Sequence, residues 1–186
     1  NPSLSEYLTK VKEQINIYSK YWDSTKKYTN PYEFIHTNVP NTNISISENK
    51  PISRAFFKLI EIYNTFDIID NKTPIINTFH LAEGPGGFIE ATSFLRKNPK
   101  DQYIGITLID KNNRSIPGWK KANIFLQNNK NVKIEHGITN DGNLFSYQNL
   151  QYCKNKYGNS MDIITADGGF DFSIDFNKQE IGRAHV

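Results

Sequence analysis

Ile75-Ile76-Asn77-Thr78-Phe79-His80-Leu81-Ala82-Glu83-Gly84-Pro85-Gly86-Gly87-Phe88 decides the fold. The run to Leu81 reads as a strand, Gly84 to Gly87 as a tight turn, and Phe88 to Arg96 as a helix. Strand, Gly-rich turn and helix in that order open a βαβ unit. Glycines at such a turn let the backbone approach a ligand, and the helix N-terminus behind it offers free amides.

Working outward, the pattern repeats. Tyr103 to Leu108, Val132 to Glu135 and Met161 to Ala166 read as three more strands. Gly118 to Gln127 and Leu144 to Tyr157 read as the intervening helices. This alternation predicts a Rossmann-like α/β fold, a mostly parallel sheet with helices on both faces. Ligands of such sheets sit at the carboxyl ends of the strands. Four loops fall there: Glu83 to Phe88, Leu108 to Asp110, Gly137 to Asp141, and Asp167. Upstream, Ser53 is read as the N-cap of a helix carrying Phe56, Phe57, Leu59, Ile60 and Tyr63. Leu4, Tyr7, Leu8, Val11, Ile15 and Tyr18 predict an amphipathic helix over 4–22, and 30–49 reads as loop. The division expected is an N-terminal extension over 1–50 and an α/β domain over 51–180.

The chain has 186 residues, 37% hydrophobic and 13% aromatic, which suits a packed core rather than disorder. Its net charge of +3 is compatible with a polyanionic partner without demanding one. The single cysteine, Cys153, excludes an internal disulfide framework and a cysteine-based zinc site, and fits a reducing compartment. His36, His80, His136 and His185 show no metal-ligand spacing, so no metal is expected. No apolar run is long enough to span a membrane and no signal-peptide layout is present, so an intracellular protein is expected, with no membrane partner. Oligomeric state is not readable.

Gly84-Pro85-Gly86-Gly87 does not meet the dinucleotide fingerprint G-x-G-x-x-G, and no Gly-Lys-Ser/Thr follows to make a phosphate-binding P-loop. By itself the turn is either a ligand loop or a structural one. Asp167, in Ala166-Asp167-Gly168-Gly169-Phe170, either faces a ligand pocket or closes an Asx turn. Asp162 reads as an edge residue. Lys58 alone reads as a solvated helix lysine, and Trp119 either packs its helix on the sheet or joins Lys120 in RNA contact. Tyr32 and Phe34 read as core.

Three segments together, Ser53-Arg54-Ala55-Phe56-Phe57-Lys58-Leu59, Gly84-Pro85-Gly86-Gly87-Phe88 and Ala166-Asp167-Gly168-Gly169-Phe170, resemble the landmarks of the FtsJ-like ribose 2′-O-methyltransferases. Asn30-Pro31-Tyr32-Glu33, Gly105-Ile106-Thr107-Leu108 and Asn177-Lys178-Gln179-Glu180 make the chain most similar to the cap-specific mRNA (nucleoside-2′-O-)methyltransferases of eukaryotes and large DNA viruses. The resemblance covers residues 28–180. It implies a Lys-Asp-Lys-Glu tetrad in which Lys58 is the first lysine and Asp167 the aspartate, with S-adenosylmethionine as cofactor and RNA, capped mRNA in particular, as partner. It also implies that Glu83, Gly84, Pro85, Gly86, Gly87 and Phe88 hold the methionine part of the cofactor. Leu108 and Asp110 fall beside its ribose. Where the family has Asp-Ile-Thr near the adenine, this chain has Gly137-Ile138-Thr139, leaving Thr139 and Asp141 as candidates. Arg54, Trp119 and Lys120 are the candidate RNA contacts. By the same resemblance the site is cytoplasmic or nuclear, or the host cytoplasm for a viral enzyme. Ribosomal or transfer RNA as substrate, a non-catalytic RNA-binding scaffold, and a nicotinamide-dependent oxidoreductase stand as alternatives.

Ile181-Gly182-Arg183-Ala184-His185-Val186 matches the translation of a common sequencing adapter. Residues 181–186 are therefore expected to be foreign, and the natural chain to continue past Glu180 to the second lysine and the glutamate. Without those two residues the chain is expected to be inactive.

Overall fold

The computed structural model describes residues 2–113 and 116–168. Expectations placed on Gly169, Phe170 and residues 171–186, the suspected foreign end included, lie outside the described residues. The chain divides into two compact units, whose described parts are residues 2–50 and 51–168.

In the first unit, α1 (Pro2–Glu13) and α2 (Ile15–Thr29) replace the single helix expected over 4–22. The break falls at Gln14, whose amide bonds Val11 O one residue short of the α-helical step. A 3-10 turn over Pro31–Phe34 interrupts the expected loop, opened by the Asn30 side chain accepting from Tyr32 N at 3.1 Å. Tyr32 is 67% exposed, so the expectation that it joins a core is corrected: the turn directs its ring outward.

The second unit is built on four parallel strands, β1 (Asn77–Leu81), β2 (Gln102–Ile106), β3 (Val132–Glu135) and β4 (Ile163–Ala166), in the order β3-β2-β1-β4. The chain steps from β1 to β2 to β3 in one direction, then returns to pair β4 on the other side of β1. The order thus reverses between β1 and β4, the position at which open α/β sheets bind ligands.

Around the sheet lie α3 (Ala55–Phe66), α4 (Gly87–Arg96), α5 (Asn123–Asn128) and α6 (Tyr147–Tyr157). Side chains alternate between the sheet faces as the pleat requires. Tyr103 packs with Ile89, Trp119 and Ala122 on one face, while Phe79, Ile104 and Ile106 pack with Cys153 and Tyr157 on the other. Helices therefore cover both faces, as the alternation predicts. Ile89, Tyr103 and Ile106 are completely buried, and burial of each isoleucine contributes about 1.5–3 kcal/mol. A third cluster, Phe56, Leu59, Tyr63, Phe88 and Ala91, seats α3 on α4.

Several boundaries shift for identifiable reasons. Past Ile106 the chain bonds to loops instead of a strand: Ile106 O accepts from Glu83 N, and Ile109 N donates to Asp141 O. Helix α5 is shorter than expected because Gly118 (φ 48°) and Trp119 stand outside helical geometry. Ser53 is not the N-cap of α3. Arg54 holds that position without a side-chain cap, and Ser53 contributes only its carbonyl, to Phe56 N at 3.2 Å. Asp162 is exposed, and its carboxylate accepts from Asn77 N at 2.7 Å, tying the start of β4 to β1.

Candidate active site

At the end of β1 the backbone turns sharply. Ala82 (φ 52°) and Gly86 (φ 117°) both lie in the left-handed region, and the Gly84-Pro85 bond is cis. A Cβ on Gly84 would stand 2.8 Å from Thr107 Oγ1, and one on Gly87 would stand 2.2 Å from Ser53 Oγ. The segments that carry Thr107 and Ser53 thus both press against this turn.

Helix α4 does not present a vacant anion site, contrary to the expectation of free amides. Glu83 Oε1 accepts from Phe88 N at 2.8 Å and Ile89 N at 2.9 Å, so a carboxylate of the chain fills it. Glu83 is 6% exposed. Burial pushes its carboxyl up to about 8, against the lowering effect of the two amides, and the nearby Asp167 charge adds to the rise. The Phe88 and Ile89 amides, already bonded in this way, are not available to a pyrophosphate.

Lys58 and Asp167 meet beside it, Nζ to Oδ2 at 2.5 Å, with side chains 54% and 43% exposed. Both line a 430 Å³ cleft with Ser53, Arg54, Glu83, Gly84 and Pro85, at the β1/β4 reversal. The volume lies in the range of cofactor sites. Arg54, a candidate RNA contact, is exposed on the cleft wall. A larger cavity of 620 Å³ lies along α4 and α5 away from this pair. Its amides Asn98, Asn129 and Asn131 are committed to backbone carbonyls.

The other expected loops adjoin the Gly-rich turn through Thr107: a Cβ on Gly142 would lie 1.9 Å from Thr107 O. Leu108 is exposed there. Asp110 Oδ1 accepts from Asn112 N and Asn113 N, closing an Asx turn. Thr139 Oγ1 donates to Asp141 Oδ1, and both are bonded by Asn149, a completely buried residue that sequence reading passed over. These bonds and the Asn143 amide hold the Asp141 carboxyl below its ordinary value. Glu135, also passed over, accepts from Lys156 Nζ and Tyr157 OH at the end of β3. Burial would raise its carboxyl, but these donors and two backbone amides bring it down to about 2.

Trp119 is corrected as an RNA contact. It is 8% exposed, and a Cβ on Gly105 would lie 2.5 Å from its ring, so the indole fills the space that a strand glycine leaves. Lys120 is exposed on the adjoining 3-10 turn, its Nζ 3.4 Å from Ile116 O.

The cleft has the features that S-adenosylmethionine requires. Glu83 lines it with its Oε1 taken by Phe88 N and Ile89 N, so these amides offer no cradle for phosphate. Ser53 Oγ is buried in the wall with no hydrogen-bond partner among the described residues, a group that a bound polar ligand would satisfy. Among the described residues no cluster of His, Cys, Asp and Glu is arranged to hold a metal ion, and no helix is long and apolar enough to cross a membrane.

Residues 51–185 match the family model described as FtsJ-like methyltransferase. Over 203 aligned residues the chain is 25% identical to a Danio rerio protein, cap-specific mRNA (nucleoside-2'-O-)-methyltransferase 2, an alignment covering 96% of this chain and 25% of that protein. The chain thus spans about a quarter of the length of the curated relative it matches.

Proposed function

The chain belongs to the FtsJ-like methyltransferase family, and from that premise we propose that it forms part of an enzyme methylating a ribose 2′-hydroxyl of RNA, at a cap-proximal nucleotide of mRNA. S-adenosylmethionine is the methyl donor of this family. The observation that carries the reading is the Lys58–Asp167 pair, set in the switch-point cleft beside the Glu83-to-Phe88 turn. The methyltransferase domain is taken to span residues 51–180, preceded by an extension over 1–50. Similarity to a cap-specific enzyme favours capped mRNA over other RNA and an intracellular location.

Bound at this cleft, S-adenosylmethionine supplies a sulfonium-activated methyl whose leaving group is a neutral thioether. The chain's task is then to align the ribose oxygen and take its proton. Asp167 Oδ2 accepts one hydrogen of Lys58 Nζ and fixes it at the cleft wall. With Nζ as the neutral amine, its lone pair would orient the substrate hydroxyl and take its proton as the oxygen bonds the methyl and the thioether departs. Glu83, Gly84, Pro85, Gly86, Gly87 and Phe88 would hold the donor, with Leu108, Asp110, Thr139 and Asp141 at its far end. Arg54 and Lys120 supply positive charge for RNA phosphate.

Label transfer from S-adenosylmethionine, run with the intact protein on capped RNA and on uncapped RNA of the same sequence, tests the reading. Label recovered as 2′-O-methylnucleotide next to the cap is expected. Equal transfer to uncapped RNA removes the cap from the proposal. Binding of donor without transfer to any RNA replaces the enzyme by a scaffold.

A further inference from the structure

Side chains of β3 and α6 bond several polar groups of the loop that joins them. Glu135 Oε1 accepts from His136 N and Gly137 N, both at 2.9 Å, while Oε2 accepts from Lys156 Nζ at 2.8 Å and Tyr157 OH at 2.5 Å. At the other end of α6, Asn149 Oδ1 accepts from Thr139 N at 3.1 Å. Its Nδ2 donates to Thr139 Oγ1 at 2.7 Å and Asn143 O at 2.9 Å, and lies 3.3 Å from Asp141 Oδ1. Gly137 (φ 70°) completes the fit, since a Cβ there would stand 2.4 Å from Asn149 Oδ1. The outer side of the loop is stitched to the chain leaving β2 by Asp141 O, which accepts from Ile109 N at 2.7 Å. Thr107, next to that stitch, is the residue against Gly84.

We propose that Asn149 is a positioning residue for ligand affinity: its buried carboxamide holds the 137–143 loop as a preformed wall that, beside Leu108 and Asp110 on the chain leaving β2, presents Asp141 to the adenosine end of the bound donor. The proposal rests on the reading of the cleft as an S-adenosylmethionine site. A carboxamide is required chemically. The position needs one acceptor for Thr139 N and a donor facing Thr139 Oγ1, Asn143 O and the Asp141 carboxylate. Aspartate keeps the acceptor but turns an oxygen toward three oxygens. Alanine frees the loop, so that ordering it opposes every binding event.

The test measures binding of S-adenosylhomocysteine and of 5′-methylthioadenosine to the intact protein by calorimetry, in the wild type, Asn149→Ala, Asn149→Asp and Cys153→Ala. Cys153 lies on the buried face of the same helix, so its truncation weakens α6 packing without touching the loop bonds. Both Asn149 variants are expected to lose about tenfold affinity for both ligands while folded, with Cys153→Ala unchanged. Binding by Asn149→Ala within about twofold of wild type, or equal weakening by Cys153→Ala, overturns the proposal. Wild-type protein that binds neither ligand sinks the reading of the site instead. Amide exchange then judges Asn149 by itself: protection at 137–143 lost in Asn149→Ala and kept in Cys153→Ala upholds its hold on the loop, and unchanged protection overturns it.

Discussion

Lys58 Nζ lies 2.5 Å from Asp167 Oδ2 across 109 residues of sequence. Two packing relationships bring them together. The Phe56–Leu59–Tyr63 side of α3 is seated on Phe88 and Ala91 of α4, and α4 starts at the turn leaving β1. On the other side β4 pairs with β1 in register, Leu81 opposite Ala166, which delivers Asp167 to the same end of the sheet. Both side chains are about half exposed, so the pair adds at most about 1 kcal/mol to stability. Lys58→Ala and Asp167→Ala should therefore melt close to wild type and lose methyl transfer by at least about 100-fold. A single-turnover assay on the intact enzyme checks this, and retained activity in either variant strips that residue of its role.

Glu83 gives the protein a pH dependence of definite sign. Its carboxyl stands at about 8 in the fold against an ordinary 4.5. The raised value means that folding favours the protonated form. The contribution is fully present below about pH 4.5 and is lost as pH climbs through about 8, by up to about 5 kcal/mol. Glu135 acts oppositely. Its value of about 2 makes its contribution complete above about pH 4.5 and lost as pH falls toward 2. Glu83→Gln keeps a carbonyl acceptor for Phe88 N and Ile89 N while removing the titration. Buried His80, held down to about 3, opposes this slope below about pH 6.5, so denaturant midpoints measured between about pH 6.5 and 8 should slope downward in the wild type and flatten in the variant. Equal slopes would exclude Glu83 as the titrating group.

Gly86 separates backbone conformation from steric fit. Its φ of 117° is strained for any residue with a side chain, yet a Cβ there would meet nothing closer than 3.6 Å. Gly86→Ala should thus act through the turn's shape alone, costing about 1–2 kcal/mol of stability and weakening S-adenosylhomocysteine binding. Unchanged affinity in a calorimetric titration would count against the Gly-rich turn as a ligand loop.

What was legible in the sequence is what local physics determines. The bounds of β3, Val132 to Glu135, follow from a short apolar–charged alternation, and the turn after β1 follows from its glycines. The convergence of the four loops follows from the βαβ order. Less legible were roles set by partners far along the chain. Glu83 fills the α4 amides from five and six residues upstream, a signal present locally but weaker than the glycines beside it. Asn149 is an unremarkable polar residue until its loop folds back on it. Trp119 left a trace: Gly105, in the middle of an apolar strand, marks the gap that the indole fills. Ser53 misled because N-cap chemistry is a preference, and its hydroxyl instead lies in the cleft wall.

The amino ends of the strands are held by Asp101, and its removal should be the costliest single change in the second unit. Its carboxylate, completely buried, accepts from Arg96 Nε at 2.7 Å, Arg96 Nη2 at 3.1 Å, Ile76 N at 2.9 Å, Asn98 Nδ2 at 3.1 Å and Tyr103 OH at 3.0 Å. Asp101→Ala leaves a buried guanidinium facing only the carbonyls of Asp70 and Thr73, and strands two further donors of the sheet. Breaking a buried pair from one side costs about 3–5 kcal/mol, a large share of the 5–15 kcal/mol that typically separates folded from unfolded domains. The double variant Arg96→Met/Asp101→Ala removes the orphaned charge and should recover part of the loss. Chemical denaturation measures both, through a shift in midpoint at unchanged slope. A loss under about 1 kcal/mol in Asp101→Ala would mean that water reaches Arg96, and that apolar packing alone aligns β1 with β2.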